Sequence, residues 1–331
     1  MMHFKHIIVI ALTSYFMSAC LSPETEEPSP LPQKQSFADN LIDHDEPISA
    51  GPLSGLYRNA GLNSPVILIV PGSGPTDLNG NNPLGVNAST YKHLSKSLSD
   101  AGISTVRVDK RGMFSSAEGG DPNAVTVDIY AQDYRNWVEA IRTETGQSCI
   151  YMLGHSEGAL MVTAASIGNE NVCGLILVAG VGRSFGDLLR EQLKANPANF
   201  IIIKEAFKII ETLERGEHAD TTDMNIALRP LFAAPVQDFM ISLMQSDPAQ
   251  MAKEANKKTL IIQGRHDLQV SVKDAEILAD ATGGRLVIID DMNHVLKDAP
   301  KSRRKNIATY KKPNLPISDG VVEAIRVFIE E

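Results

Sequence analysis

Tyr151-Met152-Leu153-Gly154-His155-Ser156-Glu157-Gly158-Ala159-Leu160 joins an apolar run to small, helix-forming residues through an abrupt Gly-His-Ser-Glu-Gly turn. The pattern predicts a strand, a sharp turn and a helix, with Ser156 at the tip. Glycine is needed at 154 and 158, because a side chain at either place would collide where strand and helix pack closest. Such a turn strains the backbone of Ser156, lifts its hydroxyl above the sheet and aims the N–H of Glu157 at whatever the serine attacks. The side chain of Glu157 is expected to make only a surface contact. Five residues of this kind also arise by chance, so the reading rests on their strand-to-helix setting.

Outward from the turn, strand and helix patterns alternate. Residues 66–70 (VILIV) are apolar throughout, as befits a strand buried on both faces of a parallel sheet. Helical spacing at Tyr91, Leu94, Leu98 and Ala101 stops at Gly102, a strand follows at 104–108, and a long helix covers 130–143. After the strand at 175–179 the alternation breaks. Residues from about 183 to 257 are mostly helical, with Phe200, Ile203, Phe207, Ile210 and Leu213 forming one apolar stripe and Pro235 opening another helix. They are expected to be a cap inserted into the sheet domain. Its surplus of Leu231, Phe232, Phe239, Met240, Leu243 and Met244 forms either a core of its own or the lining of an acyl or aryl pocket. Strands at 259–263 and 286–289 and a last helix at 320–329 complete an α/β pattern.

The loop at 71–77 (PGSGPTD) leaves the end of a strand with its backbone N–H groups uncovered. A phosphate loop would need a lysine before the helix, and a calcium loop starting at Asp77 would need glycine where Asn82 stands. An oxyanion loop, with the N–H of Ser73 acting beside that of Glu157, fits better. Ser156, Asp267 and His294 each follow the carboxyl end of an expected strand, which puts all three on the rim where sites form in open α/β sheets. In that arrangement His294 is the base that activates the serine, and Asp267 fixes its tautomer. Asp290 and Asp291 are alternative acids, and His155, expected to point away from the turn, and His266 are poorer bases. Asp291 and His294 could suggest a metal pair, but no third ligand accompanies them.

These pieces resemble the α/β-hydrolase superfamily, in particular its bacterial esterase and serine-aminopeptidase-like branch. The matching residues are 71–77, Asp109-Lys110-Arg111-Gly112, the Gly-His-Ser-Glu-Gly turn, Gly264-x-x-Asp267-x-x-Val270 and Asn293-His294-Val295-Leu296-Lys297, spread from about residue 52 to the end apart from the cap. Leu78-Asn79-Gly80-Asn81 stands where the family tends to have Arg-Asp-Gly-Asn, and Met113-Phe114 replaces small residues; both departures bear on substrate contacts. The resemblance implies an α/β-hydrolase fold with a mostly parallel sheet, and a serine esterase that acts on small-molecule esters without a metal or organic cofactor. A peptidase or amidase would use the same machinery, and a catalytically silent binding module could keep the fold.

The amino terminus carries a different message. A short polar start precedes an apolar run at 7–17, too short to span a bilayer, which ends in Met17-Ser18-Ala19-Cys20. This ending resembles the lipobox of bacterial lipoproteins, with methionine where leucine is usual, and implies cleavage before a lipidated Cys20; an ordinary secretory signal is the alternative. Leu21, by the same resemblance, favours the outer membrane and its periplasmic face. The Pro-, Glu- and Ser-rich residues 21–45 are expected to be a flexible tether, leaving 46–331 as the hydrolase domain. The formal net charge of −9 leaves no cationic footprint for nucleic acid. Cys149 and Cys173 open two runs expected to be neighbouring parallel strands. Such strands lie about 4.8 Å apart, so the two could form a disulfide in an oxidising compartment or remain buried thiols.

Overall fold

Valine, isoleucine and leucine at alternate strand positions find two different helical layers to pack against. The computed structural model describes residues 45–331; the signal-like segment, Cys20 and the expected tether up to residue 44 lie outside them. Strands β1 (Asp45–Ala50), β2 (Leu53–Arg58), β3 (Val66–Val70), β4 (Ser104–Val108), β5 (Ile150–His155), β6 (Val172–Val178), β7 (Thr259–Gly264) and β8 (Arg285–Ile289) form one sheet in the order β1-β2-β4-β3-β5-β6-β7-β8. β2 runs antiparallel to β1 and β4, and all other pairs are parallel.

Helices α1 (Thr90–Asp100), α2 (Val127–Thr145) and α3 (Glu157–Ser166) precede four cap helices, α4 (Phe185–Ala195), α5 (Ile203–Glu214), α6 (Arg229–Phe232) and α7 (Gln237–Met244). α8 (Pro248–Ala255), α9 (Val272–Thr282), α10 (Arg303–Ala308) and α11 (Asp319–Glu330) follow. Val66, Leu68 and Val70 of β3 join the core formed with α2, α3 and the cap, while Ile67 and Ile69 join the core formed with α1 and α11. Both faces of β3 are thus buried, as its unbroken apolar run requires.

Three details depart from the sequence expectations. The sheet begins at Asp45 rather than near residue 52. Asp-Glu-Pro has the composition of a tether, but antiparallel pairing with β2 and the buried ion pairs of Asp45 with Arg58 and Arg107 make a strand of it. Phe200 is not on the buried stripe; it lies 75% exposed in the short turn Pro197–Ile201, and α5 starts only at Ile203. α8, at the end of the expected insertion, packs between α3 and α9 against the sheet domain. Cys149 and Cys173 are joined in a disulfide across the starts of β5 and β6, with a Cα separation of 5.2 Å.

Candidate active site

The turn after β5 holds Ser156 at φ 56° and ψ −121°, a conformation that costs a residue other than glycine about 1–3 kcal/mol. A Cβ on Gly154 would stand 2.3 Å from the Gly158 carbonyl oxygen, and one on Gly158 would stand 2.6 Å from that of Val70. Strand, helix and the end of β3 therefore meet backbone to backbone, and this crowding projects the serine from the sheet.

His294 lies in the loop after β8, its Nδ1 2.8 Å from Asp267 Oδ2. That loop reaches the end of β7 because Gly264 has no side chain: a Cβ there would sit 2.0 Å from the Met292 carbonyl oxygen. The Asp267 side chain is buried and also accepts from the N–H groups of Gln269 (2.7 Å) and Val270 (3.0 Å) and from Gln263 Nε2 (3.2 Å). Burial alone would raise its carboxyl pKa; the adjacent imidazole and the two backbone donors bring it below the usual range. Asp290 is instead exposed beside Arg265, and His266 is bound to the carbonyl of Ala299, so neither of these alternatives enters the site.

Ser156 and His294 line one open pocket with Gly72, Ser73, Gln269 and Tyr310. Asp267 occupies Nδ1, which leaves Nε2 for proton transfer. Among the described residues no hydrogen bond joins the serine hydroxyl to the imidazole; contacts of this kind commonly close when substrate binds. Glu157 opens α3, where the first N–H groups have no helical partner. Ser73 lies in the loop after β3 on the wall of the same cavity.

Two expectations are corrected here. The Glu157 side chain is buried, not a surface contact, and its Oε2 accepts from Ser73 Oγ at 2.8 Å. His155 does not point away from the site: its Nε2 lies 2.8 Å from the carbonyl oxygen of His294, and its ring centroid lies 4.9 Å from that of His294. A carbonyl only accepts, so this nitrogen carries the proton and Nδ1 accepts from the Tyr91 hydroxyl at 2.8 Å. Burial, helped by the neighbouring His294, lowers the His155 pKa to about 3, so the ring stays neutral and is no base. Tyr91 and Lys110 contribute to the site without having been singled out by type. Tyr91 looked like an apolar helix position, and Lys110 was visible only as part of the Asp-Lys-Arg-Gly motif.

A second chamber lies under the cap, lined chiefly by Met113, Phe185, Leu189, Leu231, Phe239 and Met240. Gly74 and Glu157 belong to its wall, whereas Gly72 and Ser73 belong to the wall of the serine cavity. The two spaces therefore adjoin at Ser73–Gly74 and Ser156–Glu157. The loop after β4 is held to the loop after β3 by Asp109, which accepts from Leu78 N–H at 2.7 Å, and burial pushes its carboxyl up to about 7. Asp77, where a calcium loop would start, spends its Oδ1 on the N–H groups of Asn79 and Asn81.

Comparison with known proteins bears on the fold. Residues 84–220 match the family model described as serine aminopeptidase S33, a span that includes Ser156 but neither Ser73, Asp267 nor His294. The chain is 30% identical over 239 residues to esterase EstD of Thermotoga maritima; the match covers 70% of this chain and 54%, about half, of that relative's length. A lipase-esterase related protein from Clostridium acetobutylicum superposes with a TM-score of 0.51 at 20% identity, over 83% of this chain and 99% of its own. Est1E from Butyrivibrio proteoclasticus does so with a TM-score of 0.53 at 16% identity, over 87% and 100%. With the sheet order and the strained serine turn already described, these likenesses identify the fold of the chain as that of the α/β-hydrolases.

Proposed function

We propose that the protein is a serine hydrolase that cleaves carboxylic esters through an acyl-Ser156 intermediate. The observation that carries this reading is the His294–Asp267 hydrogen bond of 2.8 Å on the wall of the cavity that also holds the strained Ser156. Nε2 of His294 takes the Ser156 proton as Oγ attacks the acyl carbon, and Asp267 stabilises the imidazolium that forms. The oxyanion sits between the N–H groups of Ser73 and Glu157, each worth about 3 kcal/mol of transition-state stabilisation. Collapse breaks the acyl–oxygen bond, His294 returns the proton to the leaving alkoxide, and water repeats the sequence to free the acid.

The esterase relative supports an ester rather than a peptide substrate, and so does the lining of the serine cavity. An aminopeptidase has to bind a free ammonium, yet no carboxylate is among the described residues that line this cavity. The nearby Glu157 already serves Ser73 and Lys110. The chamber under the cap would take the apolar part of the substrate. Matched ester and amide substrates test the choice: the ester should turn over and the amide should not. Ser156→Ala must abolish ester turnover in a folded protein, and surviving activity overturns the proposal.

We also propose that Cys20 is lipidated and holds the body at a bacterial membrane, most simply the outer membrane. The Met-Ser-Ala-Cys ending supports this, and the Cys149–Cys173 disulfide fits an exported protein. Mass spectrometry of the mature amino terminus should find acylated Cys20, and Cys20→Ala should release the protein from the membrane fraction.

A further inference from the structure

Burying an ammonium is costly unless its hydrogen bonds repay the lost hydration. Lys110 is 4% exposed, and burial lowers its pKa, opposed by the charge of Glu157. Its Nζ donates to the carbonyl oxygen of Gly72 at 2.9 Å and stands 3.8 Å from Glu157 Oε1. The carbonyl of Gly72 and the N–H of Ser73 belong to one planar trans peptide and point in opposite directions across it. A cation that draws the carbonyl to one side therefore turns the N–H to the other. The same carboxylate that faces Lys110 accepts from Ser73 Oγ at 2.8 Å, and Thr76 Oγ1 donates to the Ser73 carbonyl at 2.9 Å.

We infer that Lys110 and the Glu157 carboxylate are positioning residues, which lock the Gly72–Ser73 peptide so that its N–H is held ready for the oxyanion. The inference rests on the esterase reading above. Glu157 then has two separate duties: its backbone N–H opens α3 beside the serine, and its side chain holds the loop that carries the other donor. Without the ammonium the peptide is free to flip, which would replace a donor with a carbonyl lone pair where negative charge develops.

Three variants test it: Ser73→Ala, which keeps the N–H and removes the tie to Glu157; Lys110→Met; and the double variant Lys110→Met/Glu157→Gln, which leaves no unpaired buried charge. Each is measured for kcat and KM with a short aryl ester, and for binding of an aryl boronic acid and of the corresponding neutral amide. The boronate adduct on Ser156 places an oxygen in the oxyanion position, whereas the amide reports ground-state binding. The expected result is a fall in kcat of about 10- to 100-fold with KM little changed. Boronate affinity should fall in parallel while amide affinity stays within about twofold of the parent protein. Ser73→Thr, which restores a hydroxyl, should recover most of the loss. Equal weakening of boronate and amide, or kcat within about twofold of the parent in both Ser73→Ala and the double variant, overturns the lock. If the parent protein neither turns over esters nor is labelled at Ser156 by a fluorophosphonate, the esterase reading falls and the lock with it. Turnover that Ser156→Ala abolishes but these variants leave intact removes the lock alone.

Discussion

The Tyr91 hydroxyl donates to His155 Nδ1 at 2.8 Å while accepting the N–H of Gly72 at 3.0 Å. Because His155 Nε2 in turn donates to the His294 carbonyl, one buried chain of hydrogen bonds runs from the loop after β3 to the loop that carries the imidazole. Tyr91→Phe removes only an oxygen, yet it leaves one buried donor and one buried acceptor unpaired. We expect a loss of about 1–3 kcal/mol in urea unfolding and a lower kcat, since both loops lose a shared support.

His155 also gives stability a pH dependence of definite sign. In the unfolded chain the ring binds a proton near its ordinary 6.5, whereas in the folded protein burial delays this to about 3. Between those values the unfolded state holds more protons, so stability falls as the pH is lowered through that window. Asp109, held up at about 7 by burial, contributes with the opposite sign, so the comparison has to be made against a variant. His155→Gln, followed by urea midpoints at neutral pH and at pH about 5, should lose less stability on acidification than the parent.

Gly264 is the position where the imidazole loop crosses the end of β7. Gly264→Ala places a methyl group 2.0 Å from a backbone oxygen, which cannot give way as a side chain can. The His294 loop must move, and shifts of about an ångström typically cost about 100-fold in rate. Activity should fall by that order while fluorophosphonate labelling of Ser156 slows, with a lower melting temperature in the same protein.

Removing the disulfide should leave the chemistry alone. Cys149 and Cys173 are 24 positions apart in sequence, at the starts of β5 and β6, and Ser156 lies beyond the other end of β5. Cys149→Ser/Cys173→Ser should cost about 3 kcal/mol in denaturant unfolding with kcat unchanged below the transition.

Leu231 lines the chamber under the cap. Leu231→Trp should reduce kcat/KM for esters with long acyl chains by about tenfold or more, and leave acetate esters within about twofold. Equal effects across a chain-length series would show that the acyl group goes elsewhere.

What the sequence made legible was local. The two glycines around Ser156, the apolar run at 66–70 and the strand-end positions of Asp267 and His294 all encode their geometry within a few residues. The missed features depend on distant partners. Lys110 meets Gly72 from 38 positions away, Tyr91 meets His155 from 64, and Thr90 Oγ1 reaches the Val295 carbonyl across 205. Nothing near Glu157 in the chain distinguishes a buried carboxylate from an exposed one, because its partner Ser73 belongs to another strand's loop. In the cap, Phe200 fits the helical period, but Pro197 starts a tighter turn there and leaves the ring outside.

Asp45 sets the practical limit to proteolytic trimming. Its carboxylate receives both Arg58 and Arg107, and Arg107 also donates to Asn79 in the stretch that leads away from Ser73. A cut just before this residue should leave both of these ion pairs in place. One made just after it strands two guanidinium groups in the interior, and the damage spreads to the active-site rim through Asn79, although three strands intervene between β1 and β5.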